Sequence, residues 1–185
     1  PRGRALGAAW YLPEERQITT KEQMLDEMCA TLGGRAAEDL FLNRISTGAM
    51  NDLERVTKQA YGMIAYLGMS DKLPNLCYYN NEEYSFNRPY SEKTAELIDT
   101  EVKNMVNEQY ERAKKILSEH REGHNQLAQL LIDKEVIFAE DVERIFGKRP
   151  WASRSEEIMA AKESQEAAEA EKRLAEEVKE KEKEI

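Results

Sequence analysis

Three sets of side chains in this 185-residue chain could do chemistry. They are the carboxylate of Asp52, closing the run Thr47-Gly48-Ala49-Met50-Asn51-Asp52; the carboxylate of Glu38, in Gly33-Gly34-Arg35-Ala36-Ala37-Glu38; and the histidines His120 and His124. Carboxylate oxygens and imidazole nitrogens are the usual donors to zinc, and a catalytic zinc takes three protein ligands and keeps one position open. Helix geometry gives a first test of Asp52, because each residue turns about 100° around the axis. With Asp52 at zero, Met63 falls at ~20°, Val56 at ~40°, Leu67 at ~60°, Ala60 at ~80° and Leu53 at ~100°. Asp52 therefore borders an apolar stripe, while Glu54 and Lys58 fall at ~200° and ~240°, on the solvent side. Two uses stand open for a first-turn carboxylate so placed: ligation of a metal shared with a neighbouring helix, or capping of its own helix.

His120-Arg121-Glu122-Gly123-His124 imitates a zinc-protease helix at a glance, but its spacing is wrong. In H-E-x-x-H the glutamate directly follows the first histidine, about 100° round and near the metal face. Glu122 comes one residue later, about 200° round and pointing away. Gly123 further weakens a helix there, so the expectation is a surface junction between two helices. No Ser/His/Asp or Cys/His arrangement suggests a nucleophile, and no Walker-type glycine loop suggests a nucleotide site.

The elements that must position these groups are legible in outline. Arg4-Ala5-Leu6-Gly7-Ala8-Ala9-Trp10-Tyr11-Leu12 is short, apolar and closed by Pro13, which predicts a strand with Leu6, Trp10 and Leu12 turned to the core. Thr19-x-x-Glu22 and Thr20-x-x-Gln23 offer overlapping capping boxes, and Met24, Leu25, Met28 and Leu32 follow at helical spacing. Gly33-Gly34 could end that helix or form a notch for close packing. A second helix is predicted from about Asn51 to Leu67, with Leu53, Val56, Ala60, Met63, Ile64 and Leu67 as its stripe and Gly68 as its stop. Residues 70–90 shift to Asn, Pro and the aromatics Tyr78, Tyr79, Tyr84, Phe86 and Tyr90, a long loop or hairpin laid over the core. Ser91 can cap a helix carrying Ala95, Ile98, Val102, Met105, Ala113, Ile116 and Leu117. Shorter helices around Leu127 to Leu131 and Val142 to Phe146 complete the domain before Gly147-Lys148-Arg149-Pro150.

Composition narrows the class. The net charge is -9 and no Lys/Arg cluster is free of interleaved acids, which argues against nucleic acid as a partner. No apolar run approaches the ~20 residues of a membrane span, so this piece is expected to be soluble and to make no membrane contact of its own. Cys29 and Cys77 lie far apart and form no C-x-x-C, which points to a reducing compartment. Residues 151–185 carry 7 Lys/Arg against 11 Asp/Glu and few apolar positions, predicting a disordered or solitary helical tail. A first residue that is proline suggests an excised piece of a longer protein.

Leu32-Gly33-Gly34-Arg35-Ala36-Ala37-Glu38-Asp39, followed by Ser46-Thr47-Gly48-Ala49-Met50-Asn51-Asp52-Leu53-Glu54-Arg55, resembles the peptidase domain of the FtsH family of membrane-anchored, ATP-dependent zinc proteases. The resemblance covers roughly residues 1 to 147. It implies a mainly α-helical bundle with a short β element at its start, residues 1–150 being the C-terminal portion of the peptidase domain and 151–185 the charged tail. Asp52 would be the carboxylate of a His-His-Asp zinc set, whose histidines and general-base glutamate lie on an H-E-x-x-H helix absent from this chain. Glu38 would accept a hydrogen bond from the free ring nitrogen of a ligating histidine. Leu6, Gly7, Ala8 and Ala9 would lie beside the zinc cleft and pair with extended substrate backbone. The Gly33-Gly34 pair reads as a notch rather than a stop. The parent would be a homo-hexamer anchored in the bacterial inner membrane, this domain on its cytoplasmic side, degrading unfolded and membrane proteins with zinc and with ATP bound elsewhere. The piece alone would be inactive. The competing reading is a non-catalytic helical assembly or adaptor module of the same architecture.

Overall fold

A computed structural model describes residues 7–10, 18–78, 89–149 and 158–165. The protein is mainly α-helical, with α1 at Lys21–Leu42, α2 at Met50–Ala65, α3 at Glu92–Glu119, α4 at Arg121–Lys134 and α5 at Ala139–Phe146. It divides into two compact units: Ile18–Phe138, and Pro1–Gln17 with Ala139–Ile185.

In the larger unit, the second of the two candidate capping boxes starts α1. The Thr20 backbone N–H donates to Gln23 Oε1 at 2.9 Å, and the Gln23 N–H donates to Thr20 Oγ1 at 3.3 Å. The helix then buries Met28, Cys29, Leu32 and Ala36, residues one turn apart on one face. It runs straight through Gly33-Gly34 and ends at Asn43, whose φ of 50° is the left-handed cap that asparagine tolerates better than most residues. The glycines do not stop the helix, and among the described residues a Cβ added at Gly33 or Gly34 would meet nothing within 4 Å.

α2 buries Val56, Ala60, Met63, Ile64 and Ala65, and leaves Lys58 and Glu54 paired on its solvent face. It ends at Ala65, short of the expected Leu67, which is exposed. The reason lies in the reversal that follows. Gly68 adopts φ +59°, and a Cβ there would stand 2.9 Å from the backbone nitrogens of Asn75 and Leu76. The returning chain is fixed by the Met69–Pro74 bridge and by a 2.7 Å bond from the Tyr78 N–H to the Ala65 carbonyl. Leu73 is carried into the core beside Ile64, Ala65 and Ile98.

Ser91 caps α3 as its position suggests, accepting from the Thr94 N–H at 3.3 Å. α3 lies along both α1 and α2, and its most extensive interface is with α1. Met28, Leu32, Val56, Ala60 and Met63 form the centre, with Val102, Met105, Val106 and Tyr110 of α3 packed against it. Full burial of each large side chain here is worth about 1.5–3 kcal/mol, so this seam is the principal source of stability. Tyr78 and Tyr90 meet edge to face at 5.1 Å over the second cluster, while Tyr61 and Tyr90 share a hydroxyl hydrogen bond of 2.7 Å. That agrees with an aromatic loop laid on the core; Tyr79, Tyr84 and Phe86 lie outside the described residues.

In the smaller unit, α5 carries an Arg144–Asp141 ion pair of 2.8 Å, and residues 158–165 are helical with every residue exposed. The expected N-terminal strand is not formed by residues 7–10, which have no regular structure; Trp10 is 86% exposed. A strand exists only through its ladder, and no strand among the described residues offers a partner edge. Leu6 and Leu12 lie outside the described residues. No described helix is long and apolar enough to cross a membrane.

Because Gly34 is helical, exposed and unobstructed, Gly34→Ala is expected to stabilise the chain by about 0.5–1 kcal/mol in urea unfolding. A loss of stability would mean that the glycine pair serves a contact not made within this chain.

Candidate metal centre

The candidate centre is built where α1 hands over to α2. The chain reverses at Asn43, and Glu38, a little over one turn back on α1, reaches across the reversal to Ser46. The Ser46 N–H donates to Glu38 Oε2 at 3.1 Å, and the Ser46 hydroxyl donates to Glu38 Oε1. Ser46 Oγ in turn accepts the Gly48 N–H at 3.2 Å, which shapes the single 3-10 turn Thr47–Ala49. Ala49 is buried and anchors that turn; the Met50 N–H closes it onto the Thr47 carbonyl and begins α2. Asp52 follows in the first turn of α2. The Ser46 hydroxyl and then its backbone N–H hold the Glu38 carboxyl below the usual carboxylate range.

Asp52 is exposed and makes no hydrogen bond or ion pair with any described residue. The N-cap of α2 is Ala49, with no side-chain cap bond, so of the capping uses left open by helix geometry Asp52 keeps only its charge in the first turn, at the positive end of α2. Its free carboxylate is one suitable donor to a hard or borderline cation. The same connection leaves Leu42, Ile45 and Met50 more than 60% exposed, an apolar surface beside a charged one. Among the described residues no group of three or more His, Cys, Asp or Glu is gathered closely enough to hold a metal. The described residues therefore offer a single free carboxylate donor there and no complete metal site.

The histidines stand elsewhere. His120 is the single residue between α3 and α4, as the junction reading requires, and Gly123 falls inside the first turn of α4 rather than at the break. His124 stacks on Phe41 of α1, with ring centroids 4.2 Å apart and planes within 5°, while the Arg121 guanidinium lies 5.2 Å from the same Phe41 ring. The His124 ring thus docks α4 onto α1, and its Nδ1 is shielded from water with no hydrogen-bond partner.

Two features escape a sequence reading. Ser46 leaves a local trace, a serine two residues before a glycine at a helix entry, the pattern of a serine turn. Tyr110 leaves none: its hydroxyl donates to Asp39 at 2.9 Å across 71 residues of chain, and Lys114 approaches the same carboxylate at 3.6 Å. Arg35 makes no hydrogen bond or ion pair among the described residues.

Comparison with known proteins places this arrangement in a family. The profile of peptidase family M41 matches residues 1–145. An ATP-dependent zinc metalloprotease FtsH of Parabacteroides distasonis is 70% identical over 165 residues, covering 88% of this chain and 24% of that protein. The mitochondrial ATP-dependent zinc metalloprotease FTSH 10 of Arabidopsis thaliana is 47% identical, covering 83% of this chain and 19% of its own length. The mitochondrial inner membrane m-AAA protease component AFG3L2 of Mus musculus is 41% identical, with 84% and 20% covered. The chain spans about a quarter or less of the curated relatives it matches.

If Glu38 and Ser46 hold the turn before Asp52, then Glu38→Gln and Ser46→Ala should each speed amide hydrogen exchange at Gly48, Ala49 and Met50, leaving Met63 and Ile64 protected. The double variant should be no faster than the single ones. Because the folded carboxyl titrates lower than the unfolded one, the tie is fully present above pH ~4.3, the ordinary glutamate value. It is lost as pH falls through the lowered folded value. Unchanged exchange in both variants would remove Glu38 from this role.

Proposed function

The chain belongs to peptidase family M41, and from that membership we propose that it is the C-terminal portion of the peptidase domain of an ATP-dependent, membrane-anchored zinc metalloprotease. On this reading residues 1–150 belong to the peptidase and 151–185 are a charged appendage. The parent hydrolyses peptide bonds in unfolded and membrane proteins as a homo-hexamer on the cytoplasmic side of a bacterial inner membrane. ATP is used by a part of the parent outside this chain.

The observation that supports this assignment is the carboxylate of Asp52, exposed and without a partner on a helix whose entry is braced from the neighbouring helix. Asp52 would be one ligand of a zinc ion, the others coming from residues outside this chain. Zinc bound there would supply the Lewis acid and water activation that amide hydrolysis needs. What this chain contributes is charge and position. The Asp52 oxygen offsets part of the cation's charge, and the turn Ser46–Ala49 fixes where that oxygen stands, so little side-chain freedom is lost on ligation. Glu38, committed to Ser46 through both oxygens, would act on the site through this turn, with further lone pairs able to meet a histidine ring. Gly7, Ala8 and Ala9 expose their backbone and would pair with extended substrate, becoming a strand only when a partner edge is present.

The test uses a parent-length protein. Asp52→Asn should lower zinc occupancy, and kcat/KM on an unfolded protein such as casein should fall ~100-fold or more, with ATP hydrolysis retained. The 185-residue chain alone should cleave nothing. Wild-type zinc content and proteolysis in Asp52→Asn would remove Asp52 from the site. A folded parent with no zinc and no proteolysis would instead favour the non-catalytic helical module.

A further inference from the structure

Between α1, α2 and α3 lies a cavity of about 510 Å3 that is open to solvent along one side, within the size range of small-ligand sites. Its wall combines the aliphatic Leu32, Leu53, Val102 and Val106 with the neutral polar Thr57 and Asn107, and Arg35 and Asp39 on α1 are its charged elements beside Lys103 of α3. The charges do not cancel. Asp39 is engaged by the Tyr110 hydroxyl and by Lys114, and the other nearby acid, Glu38, is engaged by Ser46. Arg35 is left without an acceptor, and its Nη1 is closed off from water. A guanidinium so placed is costly, since a buried donor to which nothing accepts loses its hydration with no return. A ligand carboxylate entering the cavity removes that cost with a modest turn of the side chain, because arginine's planar fork matches a carboxylate's two oxygens.

We propose that this cavity is a binding site for an apolar monocarboxylate of the fatty-acid class, Arg35 holding the head group and Leu32, Leu53, Val102 and Val106 the tail. The Asp39 carboxylate on the same wall selects a singly charged head over a doubly charged one. The site adjoins the α1–α2 connection through Ile45 and Leu53 but does not use Asp52, so the failure of either proposal leaves the other standing.

A nitrogen-15 NMR titration of the 185-residue chain with decanoate tests it, with decyltrimethylammonium as a probe of the same tail and opposite charge. Decanoate should shift the amides of Ile45, Leu53, Val106 and Tyr110 saturably, and the cation should not. Arg35→Met should weaken decanoate about tenfold or more while keeping or raising the melting temperature, because it deletes an unsatisfied donor. Val106→Trp, which fills the cavity and keeps Arg35, should abolish the shifts. Equal response to both probes, unchanged affinity in both variants, or shifts confined to exposed α4 residues such as Leu131 and Ile132 would overturn the assignment and mark tail adsorption.

Discussion

The burial of one face of α1 against α2 and α3 is the constraint on which the rest of the larger unit depends. Met28, Leu32, Val56, Ala60 and Met63 are at most 1% exposed, and no single pair of helices could bury all of them. With α1 fixed along this seam, its last turns pass beside the connection to α2 at a distance that a glutamate side chain can span. The hydrogen bonds from Ser46 to Glu38 are a consequence of that packing, and so is the braced turn that begins α2. An exposed loop held only by its own turns would leave Asp52 wandering; one tied to a packed helix presents it in one place.

Several acids of this unit tie its elements together, and Asp52 is not among them. Glu38 accepts from Ser46, Asp39 from Tyr110, and Glu101 from Ser70 and Lys72, the last holding its carboxyl below the usual range through the lysine first. These are local ties between elements, and each places a charge where a donor waits. Asp52 alone of the acids singled out by pattern has no such partner, although a few residues away the same connection is densely bonded. An exposed carboxylate costs little to leave free, so its freedom is no defect of the fold. It is the condition under which a group can be used by something outside the fold.

What could be read from sequence followed the range of the interaction. Helices α1, α2 and α3 were legible because their signals are local: Thr20 with Gln23, Ser91 with Thr94, and apolar residues one turn apart. The solvent position of Glu54 and Lys58 came from rotation alone and agrees with their ion pair. The strand at residues 4–12 rested on composition, whereas a strand is made by its neighbour, and residues 7–10 have none. Periodicity puts Leu67 on the buried stripe because it does not know where a chain turns; the Gly68 reversal takes it out and brings Leu73 in. The Glu38–Ser46 tie and the Asp39–Tyr110 bond depend on how whole helices meet, and periodicity has no term for that. Asp52 was found by its motif and its place beside the stripe, but its lack of a partner is a fact only of the folded chain.

Asp52 is either one ligand awaiting others or part of a site this chain already completes. A calorimetric zinc titration of the purified 185-residue chain, with a His120→Ala/His124→Ala variant alongside, decides between them most directly. No tight binding is expected in either protein, since a lone carboxylate holds zinc weakly and the two histidines serve the α3–α4 junction and the Phe41 stack. Tight one-to-one binding by the chain alone would contradict that expectation, and its disappearance in the double variant would move the metal site from Asp52 to the histidines.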